Sequence, residues 1–342
     1  MKDMGGNALM IKEINTGLVR RLLKERKRAT KREIAEATGL SVVTVSAVLE
    51  DLARQGEAIG EDELIPSGGG RPARSYRYNF DFAHAAILYP RDDDGGSGVR
   101  YAVIDLKGRP VHEGETGVEQ VDLSSLEGIL TPLIDADSRI RAIGLGHPGV
   151  ELGHKIIVSD CEMLLGTSPA SYLESLYHLP VIVENDVNCA AVGFGEGTRS
   201  GALVYLYFPD RRPPGAGIII DGMLYKGKGN FAGEVKSVPL GIEWNQGLYR
   251  SFGPFCEAAA RLIAGISSVL NPELGVISGS FIGKSHIAAI MARCHDLLPP
   301  EILPVVFLSE TFFEDYQRGL GRRTLGLLAP GIALAEKTDT IG

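Results

Sequence analysis

The chain has 342 residues, 44% of them hydrophobic, and a formal net charge of −8. That length exceeds one ordinary core and predicts two or three domains, and no apolar run reaches the roughly 18 residues of a membrane helix, so no membrane partner is expected. The polar, basic first 32 residues hold no apolar signal segment, which predicts a cytoplasmic protein, and the four scattered cysteines (Cys161, Cys189, Cys256, Cys294) form no CxxC pair, which excludes a disulfide framework and predicts buried reduced thiols.

The mean charge conceals an asymmetry. Residues 1–80 hold 14 Lys+Arg against 11 Asp+Glu, whereas the remainder holds 21 against 32. A basic head on an acidic body predicts a DNA-facing module joined to something else. Leu9, Ile11, Ile14, Leu18, Leu22 and Leu23 recur at helical spacing and predict an amphipathic helix over 8–26, with Arg20, Arg21, Lys24 and Lys27 on its exposed face. Thr30 followed by Glu33 has the form of a capping box opening a second helix, Lys31–Thr38, and Gly39 supplies a left-handed turn residue after it. Ser41 caps a third helix, Val42–Arg54, whose inner stripe is Val45, Val48, Leu49 and Leu52.

A short helix, a Gly turn and a Ser-capped helix make a helix-turn-helix pattern. A helix lying in a major groove presents its first residues to base edges, so Ser41, Val42, Val43, Thr44 and Ser46 are the candidate base-reading side chains. Extended stretches at 57–59, 64–65 and 74–78 flank Gly68-Gly69-Gly70-Arg71-Pro72. They predict a two-stranded wing whose Arg71 and Arg74 reach phosphates or a minor groove. A helical bundle for protein contacts is the competing reading, which the wing and the local basic charge disfavour. Residues 1–80 are therefore expected to be a winged helix-turn-helix DNA-binding domain with a double-stranded operator as partner. Reading two successive groove turns needs two copies, so a homodimer or homotetramer is expected.

From Ala83 onward, short β-rich runs alternate with longer helical ones. Strands are expected at 99–106, 110–115, 140–145, 181–183, 203–208, 217–220, 274–278 and 305–308. Helices are expected at 168–177, from 188, at 256–270, and over 320–335 with a break at Pro330-Gly331. This is an α/β pattern.

Several segments of this body carry a resemblance. PVIVENDVNCAAVGFGEG at 180–197 resembles the sugar-site motif of the ROK family of repressors, open reading frames and sugar kinases. IGLGHPGV at 143–150, GAGIIIDGMLYKGKGNFAGE at 215–234 and NPELGVISGS at 271–280 resemble further family motifs in the same order, and the Gly-Gly-Arg-Pro ending of the N-terminal module resembles the regulator branch. The resemblance implies, for residues 81–342, a two-lobed actin-like, hexokinase-like (ribonuclease H-like) ATPase fold with a sugar in its cleft. It also implies a sugar or sugar derivative as effector. Asp186 takes the position of the family's catalytic Asp, Asn185 and Glu234 take those of its sugar contacts, and Gly146, His147 and Gly149 would line the same cleft.

The phosphate-binding parts depart from the pattern. Asp93-Asp94-Gly95-Gly96-Ser97 has the register of the first phosphate motif, but Tyr89-Pro90-Arg91-Asp92 precedes it where an apolar strand belongs, so a hairpin turn is the expected structure. The second motif becomes Arg211-Arg212-Pro213-Pro214-Gly215, in which two prolines remove backbone donors. Ser237 replaces the family's zinc-site histidine, and 238–255 holds no cysteine, so no metal site is expected. These departures predict a regulator, most simply a repressor, with little or no kinase activity, no cofactor and no catalytic residue. Asp186 would be catalytic only in the alternative, an active ATP-dependent sugar kinase with an accessory DNA-binding domain, and could otherwise cap the helix beginning near Val187. A third reading is a body that only dimerises around a plugged cleft. Lys236 raises the expectation of an acidic or phosphorylated sugar.

Overall fold

The computed structural model describes residues 4–62, 74–93, 96–159, 161–198 and 200–328. They form two units, one of residues 4–62 and 74–84 with Asp105–Lys107, the other of Ala85–Ile104 with Gly108–Leu328. Among the described residues no helix is long and apolar enough to cross a membrane.

The first unit contains α1 (Met4–Arg26), β1 (Arg28–Thr30), α2 (Lys31–Thr38), α3 (Val42–Gln55), β2 (Ala58–Asp62) and β3 (Arg74–Tyr78). Val19 and Leu23 of α1, Ile34 of α2 and Val45, Leu49 and Leu52 of α3 share a core closed by Tyr76 and Tyr78. Each such burial stabilises by about 1.5–3 kcal/mol. The strands pair in the order β1-β3-β2, so the wing has three strands. Three-residue β1 is too short to leave a periodic signal. The expected strand at 64–65 and Arg71 lie outside the described residues.

The expected face of α1 is corrected. Arg20 points inward and pairs through both its Nε and its Nη2 (2.8 Å) with the buried Glu57 carboxylate, to which the Tyr78 hydroxyl also donates at 3.0 Å. Lys24 Nζ lies over the Tyr78 ring. Leu9, Ile11, Ile14 and Leu18 are instead exposed. A buried carboxylate requires a cation, and that requirement turns the helix.

The second unit begins with β4 (His84–Asp93), β5 (Gly96–Asp105), β6 (Pro110–Gly117), α4 (Leu123–Ala136), β7 (Ile140–His147), β8 (Gly149–Leu152), β9 (Lys155–Ser159), α5 (Pro169–Tyr177) and β10 (Val181–Asn185). It continues with α6 (Asp186–Phe194), β11 (Ala202–Tyr207), β12 (Gly215–Ile220), β13 (Met223–Leu224), α7 (Gln246–Tyr249), α8 (Phe252–Leu270), β14 (Leu274–Ser278), α9 (Lys284–Leu297), β15 (Val305–Ser309) and α10 (Phe312–Gly326). Two five-stranded sheets run in the orders β10-β7-β4-β5-β6 and β13-β12-β11-β14-β15. Parallel pairs, β7 with β10, β11 with β14 and β14 with β15, are linked through helices, as parallel pairing demands.

Three apolar clusters divide the unit. One lies between the first sheet and α4 and α5, one between the second sheet and α8 and α9, and the third where α6 and α10 fill the space between strands of both sheets. Helices α6 and α10 cross at backbone contact. A Cβ on Gly319 would sit 1.8 Å from the Cys189 carbonyl oxygen, and one on Gly193 2.0 Å from that of Asp315. Only glycine admits this approach.

Two expectations for this unit change. The last helix starts at Phe312 rather than Leu320 because Phe312, Tyr316 and Leu320 form one buried stripe, and Pro330-Gly331 lies outside the described residues. Strand β4 runs through Pro90 to Asp93, since a proline removes a single ladder donor without bending the chain away. Strand β5 resumes at Gly96, and the expected turn residues Asp94-Gly95 lie outside the described residues.

Candidate functional site

The candidate side chains fall in two places. The first is the α2–α3 pair. The Thr30 hydroxyl accepts from Glu33 N–H at 3.3 Å, while the Glu33 carboxylate accepts from Thr30 N–H at 2.7 Å, so the capping box is closed. That carboxylate is held below its ordinary range by those donors. Gly39 is left-handed at φ 71°, and its N–H returns to the Ala35 carbonyl. Ser41 then caps α3 by accepting from Thr44 N–H at 3.1 Å.

With Val45, Val48, Leu49 and Leu52 buried, the first turn of α3 faces outward: Val42 is 50% and Val43 80% exposed. Ser41 and Thr44 hydroxyls bond to each other at 2.9 Å. The Ser46 hydroxyl accepts from Lys31 Nζ at 2.5 Å and donates to Glu50 at 2.9 Å. Arg74 is exposed on β3, yet its guanidinium lies along the sheet over Gly60 and the Tyr76 ring.

The second site is a cavity of about 360 Å³ within the second unit. Its wall includes Gly149 of β8, the β10–α6 junction Asn185-Asp186, Arg212 to Gly215 of the β11–β12 loop, Glu234 and Lys236, and Phe312, Phe313 and Tyr316 of α10. The strand-to-helix junction sets its geometry. Asn185 ends β10 and caps α6: its Oδ1 accepts from Asn188 N–H at 3.0 Å, and its Nδ2 donates to the Gly149 carbonyl at 3.2 Å. Asp186 is therefore not the helix cap; it is the first residue of α6, and its Oδ1 accepts from Val187 N–H at 2.9 Å. A carboxylate at a helix N-terminus is favoured by the helix dipole.

Gly149 is required where it stands, because a Cβ there would lie 2.1 Å from the Val158 carbonyl oxygen. Lys236 Nζ lies 3.4 Å from a Glu234 carboxylate oxygen, so the two charges offset each other inside the wall.

Two of the expected ligand residues are placed elsewhere. Gly146 is packed under the Tyr316 phenol, where a Cβ would meet Oη at 2.1 Å. His147 is buried, its Nε2 3.4 Å from the Val158 carbonyl, and it borders a smaller crevice beside Glu184 and Lys226. Sequence reasoning also missed Glu184, which is buried directly before Asn185. It takes Lys226 Nζ and Arg323 Nη2, each at 3.2 Å, and accepts from Asn185 N–H at 3.1 Å. That carboxylate holds the junction from behind.

The aromatic wall was missed as well. Tyr207 stacks on Phe312 with centroids 3.5 Å apart and planes at 6°, and Tyr89 packs on Tyr316. Burial and the nearby Asp186 push the Tyr316 hydroxyl well above its ordinary value. Its signal was present as the i, i+4, i+8 spacing of Phe312, Tyr316 and Leu320. Among the described residues no group of three or more His, Cys, Asp or Glu side chains could hold a metal ion. Cys189, Cys256 and Cys294 are buried and Cys161 half-buried, none of them joined in a disulfide.

Residues 93–247 match the model of the ROK family. The chain is 28% identical over 262 residues to the xylose repressor of Caldicellulosiruptor bescii, covering 70% of this chain and 61% of that one. It is 22% identical over 263 residues to the xylose repressor of Bacillus subtilis, covering 73% and 64%. The chain thus spans about three fifths of the length of these relatives.

A glucokinase of Halalkalibacterium halodurans is 31% identical over 162 residues, 43% of this chain and 48% of that one. Among solved structures, a ROK family transcriptional regulator described as a homolog of the E. coli MLC protein superposes with a TM-score of 0.69 at 17% identity, covering 93% of this chain and 98% of that one. A ROK hexokinase from Thermus thermophilus gives 0.60 at 16%, covering 72% and 100%. The fold of this chain is therefore an N-terminal winged helix-turn-helix followed by a two-lobed actin-like, hexokinase-like fold.

Proposed function

We propose that the chain is a DNA-binding transcriptional repressor whose ROK domain senses a sugar. The observation that carries this reading is the union, in one chain, of a helix-turn-helix with an outward first turn on α3 and an open polar cavity at Asn185-Asp186. The repressor names of the relatives support it, as does the need for paired half-sites, which makes the acting form a homodimer or a higher oligomer. Residues 1–80 act as the DNA-binding domain and 81–342 as the sensor, in the cytoplasm where the operator is. Sugar binding shifts the sensor between two states that differ in DNA affinity.

An open cavity argues against a body that only dimerises. The offset of Lys236 by Glu234 favours a neutral sugar over an acidic or phosphorylated one. Phosphoryl transfer needs donors around the phosphates. Pro213 and Pro214 have no N–H to offer a phosphate. The kinase alternative rests on Asp186, which lies in the wall beside Asn185.

Two assays separate these readings. Thermal melting and calorimetry over a panel of D-xylose, D-glucose, N-acetylated sugars and sugar phosphates should show a stabilising shift with a neutral sugar. An ATP-coupled assay over the same panel should show no turnover. Turnover with a sugar that binds would establish the kinase, and no shift with any sugar would remove the sensor.

A further inference from the structure

We infer that α3 reads thymine through its 5-methyl group, with Val43 as the principal contact and Val42 beside it. This rests on the DNA-binding reading above and adds the chemistry of recognition to it. The argument starts from what the helix has left to offer a base edge. Direct readout in the major groove uses hydrogen-bond donors and acceptors, or apolar contact with the thymine methyl.

The hydroxyls at the start of α3 are largely committed within the module. Ser41 spends its oxygen on capping Thr44 N–H and shares a hydrogen bond with the Thr44 hydroxyl, which is itself half-buried. Ser46 receives Lys31 and gives its proton to Glu50. Lys31 is thereby held against Ser46 and Glu50. What projects is apolar: Val43 at 80% exposure, Val42 at 50%, and Ala47, exposed one turn beyond Val43 on the same face.

Single exposed valines are ordinary on a protein surface. The context of these two is not. β-Branched residues are poor helix formers because the preceding turn restricts χ1. Val45 offsets that cost by burial in the core, whereas Val43 stays 80% and Val42 50% exposed. They stand on the turn that a helix-turn-helix directs at the groove floor. Valine has no polar atom, so it cannot distinguish bases by hydrogen bonding. It distinguishes thymine from cytosine, and from uracil, by covering a methyl group that would otherwise face water.

The experiment selects duplexes from a random pool with the full chain, then measures competition affinities at fixed salt for the selected duplex and for copies carrying uracil at one thymine at a time. Burying one methyl corresponds to about a fourfold change in affinity. We expect a loss of that size at one or two adjacent positions and none at the other thymines. Val43→Ala, which keeps the helix (checked by its circular dichroism), should bind the thymine and uracil duplexes alike.

If the pool yields no preferred sequence and no duplex binding, the DNA-binding reading itself falls. If a preferred duplex emerges and every uracil substitution is neutral, DNA binding stands and methyl readout is overturned. Uracil sensitivity that persists in both Val42→Ala and Val43→Ala overturns the assignment to these residues.

Discussion

Gly319→Ala tests the packing that positions the cavity at Asn185-Asp186. The Cβ would arrive 1.8 Å from the Cys189 carbonyl oxygen, against roughly 3.4 Å for ordinary contact, so α6 and α10 must separate by about 1.6 Å. The obstacle is backbone, which cannot rotate aside as a side chain does. Overpacking of a tight core costs about 1–3 kcal/mol, and a backbone clash of this depth belongs at the upper end. For a unit of this size, about 3 kcal/mol lowers the melting temperature by roughly 6–12 °C.

The control is Gly265→Ala in the interior of α8, where a Cβ meets nothing within 4 Å. There the change removes a helix penalty of up to about 1 kcal/mol and should raise the melting temperature by about 1–4 °C. The same substitution thus has opposite signs at two sites, read by calorimetry on the full chain. If the two variants melt together, the helix crossing does not have the intimacy described.

Other consequences are more local. Arg20→Ala leaves the buried Glu57 without its cation and should cost about 3–5 kcal/mol, unfolding the first unit while the second keeps its melting transition. The Glu33 carboxylate is depressed by its Thr30 donors, so its stabilising effect is present above its ordinary pKa of 4.5 and is lost as pH falls through the depressed value; wild type and Glu33→Gln should differ at neutral pH and converge in acid. Burial pushes the Cys294 thiol up to about 11, so iodoacetamide at pH 8 should modify half-buried Cys161 first and leave Cys294 intact until unfolding, as read by peptide mass spectrometry.

Much of this architecture was legible because local rules and tertiary context agree. Thr30–Glu33, Gly39 and Ser41 announce the helix-turn-helix through cap chemistry, which depends on a few adjacent residues. The segments resembling ROK motifs led to Asn185, Asp186, Glu234 and Gly149, which meet in one cavity wall. What escaped depends on partners far away in sequence. Arg20 was assigned to the surface by periodicity, and only the buried Glu57, 37 residues on, turns it inward. Asp186 was a candidate cap until its neighbour Asn185 proved to fill that role. Gly146 was taken for a ligand residue on its motif alone; the phenol of Tyr316 from the last helix takes the space its side chain would need.

The central claim is that a sugar in the cavity at Asp186 governs DNA binding by α3. Its most direct measurement is fluorescence anisotropy of the selected duplex bound to the full chain, titrated with whichever sugar of the panel raises the melting temperature. The account predicts release of the duplex by wild type, and retention by Asp186→Asn, which keeps the side chain's shape but weakens charged hydrogen bonding to a sugar hydroxyl by about 10–100-fold. Equal release from both proteins, or a duplex that no sugar dislodges, would contradict it.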